Sequence, residues 1–292
     1  MEKNYSVMES EMIDYKKLTL KKLLELAEVS YIGSCTHSAK LVYSKNNNCL
    51  TYGIYLMPAD GASFINENGD KVTLNVCPNH KWCKAFCLNQ SGHNKAQLMH
   101  NNNEYSFIED SRIKKTRLFY FNPNLFMEIV IREIRKYEKF AKKNGYDFAV
   151  RLNCTSDLNP EQFYYEGKNI LQIFPHIQFY DYTKVANRLP LQFKYKNYDL
   201  TYSYNGYNWK TCKKYLEQGG KVAVVFRDKL PKLFDNFNVI DANGYDMRFL
   251  DPSSTIMGLH YHRTANDYVN GEYKKRKSNF IVESDDERCY YI

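Results

Sequence analysis

The sequence predicts an α/β fold, a TIM-like (β/α) barrel that is either complete or partial. Beyond residue 145, short apolar runs alternate with turns and helical linkers. Strands that are apolar almost throughout are typical of a parallel sheet covered on both faces. With two earlier runs included, about seven or eight strands are predicted, and polar side chains follow most of them, as at the rim of a barrel.

Composition limits the classes of protein that the chain can be. Its 292 residues suffice for one large domain or two small ones. A net charge of +8, from 41 Lys and Arg against 33 Asp and Glu, favours an anionic partner such as nucleic acid or a nucleotide, although AT-rich codon usage explains it equally well. The chain has no apolar run of about eighteen residues, and its N-terminus has no signal-peptide core. We therefore expect no membrane contact and a cytoplasmic location.

The elements are expected in the following order. Residues 1–45 form a helical and extended segment packed on the barrel, with Thr19 as N-cap of a leucine-rich helix. Residues 46–265 form the barrel with its cysteine-rich loop. LTYGIYLM (50–57) is its first strand, and a hairpin turn at Asn66–Asp70 leads into a strand that ends at Cys77. Residues 266–292 form a charged C-terminal tail.

Two helices and six further strands stand out in the barrel. An amphipathic helix is predicted between Asn122 and Gly145, and a shorter one begins near Trp209 and stops at a glycine pair. The strands are DFAVRLN, HIQFYDYT, YDLTYSY, KVAVVF, FNVIDA and STIMGLH, and RLFYF (117–121) is a further candidate. No G-x-G-x-x-G or G-x-x-x-x-G-K-[ST] follows any of them, which argues against dinucleotide and P-loop sites.

Polar residues at the predicted strand ends are the candidates for chemistry. The candidates for positioning the substrate in catalysis are Asp157, Asp181 and Lys184. The candidates for cofactor binding are Asn153, Thr155, Ser203, Asp241 and Arg248. Several of these residues also have a structural alternative to the functional role. Asp157 could cap a turn, Asp181 and Lys184 could form a surface ion pair, and Arg248 could form a salt bridge that holds its loop.

The densest chemical feature is CPNHKWCKAFC, in which Cys77, Cys83 and Cys87 are spaced C-x5-C-x3-C. Cytoplasmic cysteines are kept reduced, so thiols or metal ligands are expected rather than disulfides. Three cysteines from one loop can hold an iron–sulphur cluster and leave one iron open to a substrate or cofactor. Zinc would need a fourth ligand such as His80 or His93, and three unligated thiols are the third alternative.

The cysteine segment and the motifs after it resemble a known family. CPNHKWCKAFCLNQSG, SRIKKTRLFYFNPNLF, VRLNCTSDL, FYDYTK, YDLTYS, VAVVF, VIDANGYDMRFLDP and IMGL occur in the order found in the bacteriophage gene-product-88 domain family. The similarity covers about residues 50–260 and implies a protein of a phage or mobile element. Its layout is similar to that of radical S-adenosylmethionine enzymes, but their C-x3-C-x2-C spacing differs from the spacing here.

Two functions from different classes follow from these observations. The first is an iron–sulphur enzyme, with a cluster of the 4Fe-4S type on the three cysteines, radical or redox chemistry, and S-adenosylmethionine as a candidate cofactor. The second is a non-catalytic nucleic-acid-binding protein stabilised by zinc. In that alternative the basic residues just after the cysteines, Arg112, Lys114, Lys115 and Arg117, would contact phosphates.

Overall fold

The computed structural model describes residues 13–35, 48–101, 106–269 and 272–291. Residues 1–12 and 36–45 of the predicted N-terminal segment, and residues 46 and 47 of the predicted barrel, lie outside the described residues. The α-helices are α1 (Leu20–Leu26), α2 (Gly92–His100), α3 (Phe107–Phe121), α4 (Pro123–Lys143), α5 (Ile170–Ile173), α6 (Leu191–Lys194) and α7 (Trp209–Glu217).

The strands include both long central strands and many two-residue pairings. In chain order they are β1 (Gly33–Ser34), β2 (Cys49–Ile54), β3 (Phe64–Ile65), β4 (Lys71–Val72), β5 (Asp147–Arg151), β6 (Tyr164–Tyr165), β7 (Lys168–Asn169), β8 (Gln178–Thr183), β9 (Tyr198–Ser203), β10 (Lys221–Phe226), β11 (Leu233–Phe234), β12 (Phe237–Asp241), β13 (Ile256–His260), β14 (Tyr268–Val269), β15 (Glu272–Tyr273), β16 (Ile281–Val282) and β17 (Cys289–Tyr290).

One mixed sheet of eleven strands organises the fold. Its order is β1-β2-β5-β8-β9-β10-β13-β12-β11-β17, and β16 pairs with β10. The strands from β2 to β12 in this order are parallel, whereas β1, β11 and β17 pair antiparallel at the two sides. The carboxyl ends of the parallel strands therefore meet at one edge, where loops with reactive groups gather in α/β folds.

The predicted TIM-like barrel is wrong, because the sheet is not closed. Closure would require β2 to pair with the last parallel strand, β12. Instead β1 occupies the free side of β2, and β11 occupies the free side of β12. Each of these flanking strands is only two residues long, which is too short to give a periodic pattern in the sequence.

The main core lies between the sheet and α4. Phe126, Ile129 and Ile134 of this helix are fully buried with Tyr52 and Val150 of the sheet. Asn122 caps α4 with its side chain, and Lys142 and Lys143 lie in its last turn, so the helix predicted between Asn122 and Gly145 is confirmed. The Thr19 cap of α1 is also confirmed.

Two predicted strands differ from the structure. RLFYF forms the last turns of α3, where Phe119 packs against Phe126 and Phe163. The strand expected to end at Cys77 is only Lys71–Val72, and Cys77 lies in a loop five residues later.

The C-terminal residues expected to form a charged tail take part in the sheet. β9 pairs with the first half of β10, and β16 pairs with its last two residues, Val225 and Phe226. At Gly206 the chain passes so close to this segment that a Cβ would lie 2.6 Å from the carbonyl carbon of Asn279. The C-terminal segment thus reaches the carboxyl edge of the parallel strands.

Candidate metal centre

The cysteine loop, residues 77–90, lies over the carboxyl edge of β5 and β8. It consists of three short 3-10 helices, His80–Trp82, Lys84–Phe86 and Leu88–Gln90. The Cys77 thiol lies 3.6 Å from the Thr155 carbonyl, which follows β5. The Asn79 amide donates a hydrogen bond to the Lys184 carbonyl, which follows β8, at 2.8 Å. Two strand-end loops therefore anchor the cysteine loop.

The three thiols lie near one another. Cys77, Cys83 and Cys87 are partly buried, and each lies close enough to the other two to interact with them electrostatically. Burial raises the pKa of Cys77 to about 12, and the neighbouring thiols act in the same direction. Burial likewise raises the pKa of Cys87. The Cys77 thiol therefore stays protonated at neutral pH until a metal displaces its proton.

All eight cysteines lie within the described ranges, and they are free thiols, as expected from the sequence. Across the described ranges, no three or more His, Cys, Asp and Glu side chains are arranged to hold one metal ion. A single zinc ion needs its sulphur ligands within about 2.3 Å of one centre. In an iron–sulphur cluster the cysteines bind different iron atoms, so their sulphurs stand further apart.

Two cations accompany the thiols. The Lys184 ammonium interacts electrostatically with all three cysteines and with Asp157. Burial lowers the pKa of Lys184, but these neighbours raise it by more, so its pKa lies above the usual value. The Arg112 guanidinium approaches Cys87 from α3 and contacts the Asn89 side chain, and burial lowers its pKa. Positive charge next to three thiols favours their ionised form, which is the form that binds metal.

A buried network of ion pairs and hydrogen bonds fixes the backbone at Lys184. Asp157 accepts hydrogen bonds from the Thr183 hydroxyl at 2.7 Å and the Lys184 amide at 2.8 Å, and it forms an ion pair with Arg188. Asp181 is fully buried and accepts two hydrogen bonds from Asn153, each 2.8 Å long. Burial raises the pKa of Asp181, although Arg188 acts against this shift. Arg188 therefore joins the loops after β5 and β8.

The structure brings most of the predicted site residues together. Those grouped around the cysteine loop or directly beneath it are Asn153, Thr155, Asp157, Asp181 and Lys184. The other three have different surroundings. Ser203 is buried at the end of β9, and Asp241 binds Asn243 at the end of β12. Arg248 is fully buried in an ion pair with Asp251, 3.1 Å away, and its carbonyl accepts a hydrogen bond from Lys221, the first residue of β10.

Arg188 is the site residue that sequence reasoning missed. It lies in ANRLP, outside any predicted strand or helix, and nothing in that short polar stretch indicates a buried arginine. Arg112 was expected on a surface basic patch. Instead it packs over the Tyr55 ring at 5.4 Å, and the neighbouring Lys115 is only 2% exposed. Most of the predicted phosphate-binding surface is therefore turned inward.

Comparison with known proteins supports the family resemblance. The model of the family described as gene product 88 matches residues 23–283. The chain belongs to the gene product 88 family. The match includes the cysteine loop, the parallel strands and most of the C-terminal segment that folds over them. No curated protein and no solved structure matches the chain.

The part of this gene product 88 family member that the structure describes contains no helix long and apolar enough to cross a membrane. Its longest helix, α4, has a glutamate or a basic residue in nearly every turn.

Proposed function

We propose that this gene product 88 protein is an iron–sulphur enzyme of a phage or mobile element, acting in the bacterial cytoplasm. Cys77, Cys83 and Cys87 would hold the cluster. The observation that carries the proposal is the meeting of three thiols and the Lys184 ammonium at the carboxyl edge of the parallel strands. A bound cluster would supply one-electron redox or radical chemistry.

The chain's own residues would position the partners of that chemistry. The Lys184 ammonium interacts electrostatically with the three thiols, and the substrate would bind beside it. The carboxylates of Asp157 and Asp181 form ion pairs with Arg188. Asp181 also accepts a hydrogen bond from the Asn153 side chain, and Asp157 accepts one from the Lys184 backbone amide. We therefore assign both aspartates a positioning role, in which they fix the backbone that carries Lys184.

The zinc-stabilised nucleic-acid-binding alternative has less support from the geometry. Arg112 and Lys115 face the interior, and Arg117 lies over the Phe64 ring at 4.6 Å. Of the four basic residues, only Lys114 is exposed, whereas Arg112 and Arg117 are half-buried and Lys115 is buried. Zinc binding remains an outcome that the following experiment can detect.

Cysteine variants test the proposal. Each of C77S, C83S and C87S would be reconstituted anaerobically with ferrous iron and sulphide, beside C289S, which removes a solitary thiol on β17. We expect wild type and C289S to bind iron and sulphide and absorb near 400 nm, and the three triplet variants to lose most of this. Equal loading of all proteins, or zinc binding without sulphide, would contradict the proposal. Adding S-adenosylmethionine to the reduced protein would show whether it is cleaved.

A further inference from the structure

The hairpin of β14 and β15 presents two tyrosines on one surface. Tyr268 and Tyr273 lie directly opposite each other in the antiparallel pairing, so their side chains project from the same face of the hairpin. Their ring centres are 6.2 Å apart and their planes are tilted by 60°, so the rings do not stack on each other in parallel. Both residues are half-buried, which leaves part of each ring in contact with solvent. The pair can therefore accept other planar groups.

Each tyrosine has a cation beside it. The Lys95 ammonium, from α2, lies 5.5 Å from the centre of the Tyr268 ring, and the guanidinium carbon of the exposed Arg263 lies 4.0 Å from the centre of the Tyr273 ring. Neither cation has a carboxylate at ion-pair distance in the part of the chain that the structure describes. Glu272, the only carboxylate within β14 and β15, forms its ion pair with Lys274 at 3.3 Å. The surface therefore carries an excess of positive charge next to its rings.

The hairpin lies beside the cysteine loop. Asn266, just before β14, donates a hydrogen bond from its side chain to the Ala85 carbonyl at 3.4 Å, and Arg276, just after β15, donates to the same carbonyl at 2.8 Å. The helix that carries Lys95 begins directly after the cysteine loop. A chain molecule bound to the hairpin would therefore pass next to this loop.

Aromatic rings alternating with unpaired cations are suited to one class of anionic partner. In single-stranded nucleic acids the bases are free to stack on aromatic side chains or guanidinium planes, while the phosphates meet lysine and arginine. A duplex keeps its bases stacked internally, and an acidic polypeptide offers no planar groups at regular spacing. We propose that the surface formed by Lys95, Arg263, Tyr268 and Tyr273 binds single-stranded nucleic acid. This surface is separate from the basic residues of α3, and its binding requires no metal.

The test is fluorescence anisotropy of a labelled oligothymidylate of about 15 nucleotides, titrated with the full chain. R263Q is compared with R135Q, a matched control, because Arg135 is also an exposed arginine over an aromatic ring, Phe174 at 5.9 Å, but belongs to α4. We expect R263Q to raise the Kd about fivefold at about 50 mM salt and to weaken its salt dependence, since one phosphate contact is lost. R135Q should match wild type. Y273F, which keeps the ring, should also match wild type, whereas Y273L should bind about tenfold more weakly because it loses base stacking.

Several results would overturn the proposal. They are a wild-type protein that does not bind the oligonucleotide, an R263Q protein that binds it as tightly as R135Q does, and a Y273L protein that binds it as tightly as Y273F does. Equal affinity for a duplex of the same length, or equal displacement by a polyaspartate peptide, would overturn the assignment to single strands. Circular dichroism of each variant shows whether it is folded, and R263Q tests the surface even if Y273L is not. The result is independent of the proposed cluster, because the titration needs no bound metal.

Discussion

Replacing Arg188 by methionine should destabilise the protein strongly. Arg188 is 3% exposed, and its guanidinium binds Asp157, the Tyr198 hydroxyl at 2.5 Å and Asp181 at 3.5 Å. Methionine fills a similar space but leaves a fully buried Asp181 without its cation. Breaking a buried ion pair from one side costs about 3–5 kcal/mol. We expect the free energy of unfolding, measured by urea titration and far-ultraviolet circular dichroism, to fall by that amount.

Two comparisons make this prediction specific. R135M removes an exposed arginine of α4 and should change the free energy of unfolding by less than about 0.5 kcal/mol. D181N combined with R188M should recover part of the loss, because the uncompensated charge is gone. If R188M lies within about 1 kcal/mol of wild type, or if the double variant recovers nothing, the buried network does not hold the site as we describe.

The effect of R188M should also depend on pH. Burial raises the pKa of Asp181 in the folded state above its unfolded value. The folded state then binds the proton more readily, so stability falls as pH rises between the two pKa values. Without Arg188 the folded-state pKa rises further. The loss in R188M should therefore be smallest at acidic pH and grow toward neutral pH, and a loss that is independent of pH would contradict this reasoning.

Two more predictions concern neighbouring parts of the fold. Burial lowers the pKa of Lys115 in the folded protein to about 7. Between pH 7 and the unfolded-state pKa of about 10.4, the unfolded state binds more protons than the folded state. The free energy of unfolding therefore rises with pH in this range, by up to about 1.4 kcal/mol per pH unit. K115M should lack this rise when the free energy of unfolding is measured by urea titration at pH 7 and at pH 9. An equal rise in K115M and wild type would refute the prediction. Arg276 donates to the Ala85 carbonyl at 2.8 Å and covers the Phe86 ring at 4.2 Å. R276A should therefore speed trypsin cleavage after Lys84 about tenfold. The control K274A, which removes an exposed lysine, should leave the cleavage rate unchanged. An unchanged rate in R276A would show that the C-terminal segment does not hold the cysteine loop.

The sequence predicted the elements that carry strong periodic patterns. α4 has a broad apolar face with a cap at each end, and the parallel strands are continuous apolar runs, so both were recognised. Closure of the sheet could not be judged in the same way. It depends on β1 and β11, two-residue strands that pair antiparallel at the outer sides of β2 and β12. Pairings this short depend on tertiary contacts and leave no pattern in the chain.

The candidate site was predicted in part. The cysteine spacing identified the loop, and the strand ends identified Asp181 and Lys184, because carboxyl ends of parallel strands share one edge. The position of Arg188 depends on where two loops meet, which no local pattern encodes. Arg112 was misplaced because a basic run usually indicates a solvated helix face, whereas here α3 turns Arg112 and Lys115 inward.

The most direct test of the central claim is metal and acid-labile sulphide analysis of the wild-type protein, purified without oxygen, together with its absorption spectrum. A cluster on Cys77, Cys83 and Cys87 predicts about four iron and four sulphide per chain and a broad band near 400 nm. About one zinc per chain and no sulphide would contradict the account and make the three thiols part of a zinc site.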